Sequence, residues 1–185
     1  MATRSSLRLI VAFATFVFAL AAAFWLARVQ PHAQVATVPA LALEQLLPAP
    51  AGWTRVDLKT DKVVISADCS HPVAVANYVL GEMHVKITLA DSALHADSLM
   101  ALAPMIVMLP DGYSERIPPA TKISRLQRDG AQVAERWDDQ KANGEITMLV
   151  KGRFVASIEG SHLDNLDTLR TMLGAIDMKK LSELK

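Results

Sequence analysis

Cys69 and His71 stand two positions apart, and Met83 and His84 follow just after Gly81-Glu82. Thiolate, thioether and imidazole are the ligands a soft-metal site would use, copper above all. These four residues are therefore the metal candidates of the sequence. The spacings that mark a strong metal or haem site, CxxC, HExxH and CxxCH, are absent. A strand-edge cysteine with two solvent-facing histidines is the simpler reading, and neither a metal nor another cofactor is expected. Cys69 is the single cysteine, so an intramolecular disulfide is excluded. A redox or metal role for Cys69 stands as an alternative.

Other groups carry less. Glu135, Asp138, Asp139 and Glu145 surround a loop at 138–144 and offer paired carboxylates for acid/base work or Ca²⁺, although an acidic hairpin tip beside Lys141 reads first as a solvated loop. Ser157, Ser161, His162 and Asp164 are the residue types of a hydrolase triad. They lie too close along the chain to converge as one, and no G-x-S-x-G elbow accompanies them. Glycines occur singly at turns, without a phosphate loop or dinucleotide fingerprint. Met100, Met105 and Met108 share a helical segment with leucines and read as core. No catalytic residue emerges, and an enzyme is not expected.

The elements that would position these residues begin with a hydrophobic run. Leu9–Ala27 is 19 residues without a charge, about 28 Å as a helix, which matches a bilayer core. Arg4 and Arg8 precede it, which keeps the N-terminus cytoplasmic and sends the rest across. A cleaved signal is the rival, with small-x-small sites at Ala21-x-Ala23 and Val38-x-Ala40. Residues 1–29 are thus assigned to a transmembrane anchor. Residues 30–52, with Pro31, Pro39, Pro48 and Pro50 among alanines, are assigned to an extended tether containing one brief helix near 41–47. Beyond Arg28 the chain holds 16 basic and 19 acidic residues, a net of −3. That balance gives nucleic acid no electrostatic footing.

From Trp53 to Lys185 the pattern is α+β. Met83, Val85, Ile87 and Leu89 alternate with polar or small residues after Gly81-Glu82, which predicts a hairpin pairing Leu80 with Met83, Tyr78 with Val85, Ala76 with Ile87 and Ala74 with Leu89. Asp129-Gly130, Asn143-Gly144 and Lys151-Gly152 punctuate 122–159 into a four-stranded meander. Weaker strands are expected at 54–58 and 62–66. A helix is expected over 92–109, capped by Ser92 and kinked or ended by Pro104. Another is expected after a Ser161-x-x-Asp164 capping box, divided at Gly174 and Asp177 from a last short helix. The architecture predicted is an antiparallel sheet with helices mainly on one face.

Leu47-Pro48, Gly52-Trp53-Thr54-Arg55, Ala76-Asn77-Tyr78, Ile87 with Asp91, Gly112-Tyr113 and Gly152-Arg153-Phe154-Val155 together resemble small exported proteobacterial proteins of uncharacterised function, with a layout similar to Mog1/PsbP-like domains. The resemblance covers most of 46–185 and implies the fold class without supplying catalytic residues. The expectation is a single-pass protein of the bacterial inner membrane, held in the lipid bilayer by residues 9–27, with a periplasmic domain that binds another protein as an accessory or assembly factor of an envelope complex. Secretion to the periplasm is the alternative location. The alternative function is a small-ligand or lipid carrier, with its ligand between the sheet and the 92–109 helix.

Overall fold

The computed structural model describes residues 36–66, 69–93, 95–118 and 120–185. The anchor expected at 9–27 and its orientation lie outside these residues; among the described ones no helix is long and apolar enough to cross a membrane.

Eight strands form one antiparallel sheet: β1 (Thr54–Ser66), β2 (Cys69–Leu80), β3 (Met83–Asp91), β4 (Ser114–Ile117), β5 (Thr121–Arg128), β6 (Ala131–Asp138), β7 (Asn143–Val150) and β8 (Phe154–Ser161). Their spatial order is β1-β2-β3-β8-β7-β6-β5-β4. Two meanders therefore join where β8 pairs with β3. The β2–β3 hairpin has the predicted register throughout, from Leu80 opposite Met83 to Ala74 opposite Leu89, and Gly81 takes a φ of +61° at its turn. Asp129-Gly130 and Lys151-Gly152 turn as predicted, all four residues at positive φ.

Asn143-Gly144 does not turn. These residues open β7, paired with Asp138 and Trp137, and the reversal falls on 139–142, where the Asp138 carboxylate accepts from the amides of Gln140 (3.0 Å) and Lys141 (3.1 Å). Gly144 serves packing instead: a Cβ there would lie 2.8 Å from Trp137 Cε3 and 3.0 Å from Leu166 Cδ1. The two weak strands expected at 54–58 and 62–66 are one continuous edge strand, with a bulge between Arg55 and Asp57. The polar Lys59-Thr60-Asp61-Lys62 stretch between the two expected strands is exposed edge.

Among the described residues five short helices accompany the sheet: α1 (Ala40–Glu44), α2 (Ala96–Leu102), α3 (Pro104–Met108), α4 (Asp167–Gly174) and α5 (Met178–Glu183). They divide between its two faces, with α1, α4 and α5 on one and the α2–α3 pair on the other, where the sequence predicted helices mainly on one face. On the first face Ala76, Tyr78, Ile87, Ile146, Phe154 and Ile158 pack with Leu43 of α1, Leu169 and Met172 of α4 and Leu181 of α5. On the second, Val73, Ala90, Ala134, Leu149 and Val155 receive Ala103 and Ile106 from α2–α3. Alternation along a strand makes both faces available, and the alanines at 90 and 134 leave room for a helix pair. Pro104, at the start of α3, lacks the amide needed to continue α2, so the expected 92–109 helix is two. Ser92 caps neither; its hydroxyl donates to the Arg153 carbonyl at 2.6 Å. The Ser161-x-x-Asp164 box does not form either, since α4 begins at Asp167, whose amide donates to Asn165 Oδ1 at 2.9 Å.

Residues 36–52 are not a free tether. Val38, Leu43 and Leu47 are buried in the main core. The Pro48 oxygen accepts from Tyr78 Oη (2.7 Å) and Arg55 Nη2 (2.8 Å). The domain predicted to start at Trp53 includes this segment as its first layer.

Candidate functional site

The candidate metal ligands do not converge on a site. His71 lies opposite Val63 and His84 opposite Val79 on the same side of the β2–β3 pair, eight positions apart along β2, or roughly 26 Å at about 3.3 Å per residue. His84 is exposed, with its ring 6.2 Å from that of His162. Met83 packs partly against the main core. Cys69 opens β2 opposite Ser66, and its thiol lies outside what is described. Among the described residues no group of three or more His, Cys, Asp or Glu side chains is placed to hold a metal ion.

His71 has a different partner. It is 2% exposed, and its Nε2 lies 2.5 Å from the Oγ of Ser98, which is fully buried on α2. Desolvation pushes the imidazole pKa below its ordinary range, opposed by a hydrogen bond with the Asp91 backbone, while His95, with its ring 5.9 Å away, adds to the lowering. The lowered pKa favours the neutral ring, which shares a hydrogen bond with the Ser98 hydroxyl. Ser, His and Asp are thus near neighbours, but they are not a triad. The Asp91 carboxylate is taken by Arg153 Nε (2.8 Å) and Nη2 (2.7 Å) and by the amides of Val38 (2.9 Å) and Ala93 (2.8 Å). Ser98 and His71 are closed to substrate, and their bond fastens α2 to the sheet. Nothing in the sequence around Ser98 distinguished it, because the contact joins positions 27 apart.

Asp91 and Arg153 form the deepest charged contact. Arg153 also donates to the Ala36 carbonyl (2.8 Å) and lies over the Phe154 ring. Through this pair the start of the described chain is clamped to the junction of β3 and β8. Burial pushes the Asp91 carboxyl up, but the Arg153 guanidinium and the two amides outweigh it and hold its pKa below the usual carboxylate range.

The four acidic candidates are likewise dispersed. Glu135 is buried on the first face and bonded by Arg170 (3.0 and 2.5 Å) and Arg128 (3.2 Å). Glu145 pairs with Arg136, and Asp139 with Arg116 and the Trp137 indole. Asp138 holds the 139–142 turn. Ser157 and Ser161 occupy the half-solvated second face of β8, whereas Asp164 is exposed beyond it.

The methionine helix departs most from expectation. Met105 packs partly against the second face, but Met100 and Met108 are exposed, the latter by 71%. In the layer beneath, Ala103 and Ile106 pack against the sheet. Clefts open on both faces: one of about 310 Å³ lies on the second face between His84, Lys86, Glu145 and Glu159, and two lie on the first. One cleft of about 340 Å³ is floored by Leu126, Glu135 and Trp137 beside Arg170 and Leu166. A second, of about 470 Å³, lies between the β5–β6 turn, the end of β7 and α5. Comparison with known proteins finds no match to a family model, a curated protein or a solved structure.

Proposed function

We propose that this chain is a non-enzymatic interaction domain, tethered to the periplasmic side of the bacterial inner membrane through residues 9–27, that serves an envelope complex as an accessory or assembly factor. The observation that carries this reading is the composition of α3. Pro104–Met108 contains no polar side chain, although only Ile106 is buried against the sheet while Pro104, Val107 and Met108 face solvent. A helix apolar all round belongs in an interior. With Met100 of the adjoining α2, it presents an apolar surface of the kind that marks a protein contact, and methionines adapt to a partner's shape. The buried ionisable groups His71, Asp91 and Glu135 each fasten one element to another, which fits binding better than chemistry.

The test is photo-crosslinking in native membranes from a photoreactive residue at Val107, with Asp129 on the other side of the domain as control. The expected result is a discrete heteromeric adduct from position 107 and not from 129. Recovery of monomer alone from both positions would overturn the proposal.

A further inference from the structure

The 470 Å³ cleft joins an apolar floor to a cationic rim. Its floor is apolar: Ala131 of β6, Met148 and Val150 of β7, and Met178 of α5. Its rim is cationic, with Arg128, Lys151 and Lys179 against one carboxylate, Asp129. Glu135, the nearest buried acid, is committed to Arg170 as well as to Arg128. Lys151 Nζ donates to the Ser182 carbonyl at 3.3 Å, which holds the ammonium at the mouth, between the β7–β8 turn and α5. α4 packs on β7 and β8 and α5 on β7, and the cleft lies between α5 and the β5–β6 turn.

An apolar trough ending in cations matches an apolar chain ending in an anion. At about 30 Å³ per group, the share of one water molecule, a cleft of 470 Å³ holds roughly 15 non-hydrogen atoms. That suits one medium-length chain with its head group. We propose that this cleft binds a single-chain fatty carboxylate, its chain on Met148, Val150 and Met178 and its carboxylate between Lys151 and Lys179. This is a ligand site distinct from the α2–α3 surface, and it lies on the opposite face of the sheet from the layer where the carrier reading placed one.

The experiment uses the full chain in maltoside micelles, labelled with methyl-¹³C methionine and titrated with dodecanoate and, separately, dodecanol. Met148 and Met178 report the cleft, while Met100 and Met108 report non-specific contact on the other face. Dodecanoate is expected to shift the Met148 and Met178 methyls saturably, at least tenfold more tightly than dodecanol, and to leave Met100 and Met108 in place. The Lys151→Glu/Lys179→Glu variant, changed only at exposed positions, is expected to lose at least tenfold in affinity with an unchanged spectrum before ligand is added. Equal response to the neutral alcohol, movement of all four methyls together, or full affinity in the charge-reversed variant would each overturn the proposal.

Discussion

Replacing Arg153 with methionine removes the guanidinium but keeps most of the apolar length over Phe154. The Asp91 carboxylate, fully buried, then keeps only the amides of Val38 and Ala93. Breaking a buried pair by deleting one partner costs about 3–5 kcal/mol. The lower end applies here, because the Arg153 side chain is 14% exposed and water can enter in its place. About 3 kcal/mol is a shift of more than 100-fold in the unfolding equilibrium. Urea unfolding of the full chain in micelles, followed by tryptophan fluorescence, measures it.

Two further readings separate this mechanism from a simple packing loss. The double variant Asp91→Asn/Arg153→Met no longer buries an unpaired charge, so it is expected to be more stable than Arg153→Met alone. The wild-type carboxyl has a folded pKa below its unfolded value. Its contribution is therefore full above the unfolded pKa and is lost as pH falls through the folded one. Without Arg153, burial raises the carboxyl, so ionising it at neutral pH costs stability and lowering the pH relieves the penalty. A single-variant loss below about 1 kcal/mol, against the 3–5 expected of a broken buried pair, or a double variant no better than the single, would refute the reasoning.

Three other outcomes follow from particular contacts. Gly160→Ala places a Cβ 2.7 Å from Leu163 Cδ1 and 2.8 Å from Leu169 Cδ2, both in buried residues; overpacking of about 1–3 kcal/mol is expected, read as a lowered Tm. Tyr78→Phe removes the buried hydroxyl that donates to the Pro48 carbonyl; a loss of about 0.5–1.5 kcal/mol is expected, with faster proteolysis confined to 40–52, and cleavage elsewhere would count against that segment's being held by this bond. His71 has a folded pKa below its ordinary 6.5, so its contribution is complete above about pH 6.5 and declines as the pH falls toward the folded value. The urea midpoint should therefore drop between pH 7 and 5, and His71→Gln should flatten that drop.

Local chemistry made much of the sheet readable. The β2–β3 hairpin follows from alternation and from a glycine at the reversal, both properties of adjacent residues. The same is true of the Asp129-Gly130 and Lys151-Gly152 turns. Where a local signal had two uses, only packing chose between them. Gly144 looked like a turn glycine, yet it is a space left for Trp137 and Leu166. The prolines of 36–52 looked like a linker, yet the Pro48 carbonyl receives Tyr78 and Arg55.

The residues whose types suggested chemistry were visible from the start; their roles were not. Cys69, His71, Met83 and His84 are close in sequence, but an extended strand carries the two histidines far apart. Ser98 and His71, and Asp91 and Arg153, meet across 27 and 62 positions. The sequence by itself determined where strands alternate and reverse, because those preferences act within a few residues. The tertiary structure decided which face each helix covers, which charges are buried together and which apolar residues stay in solvent, because those outcomes depend on a strand order that brings β8 beside β3.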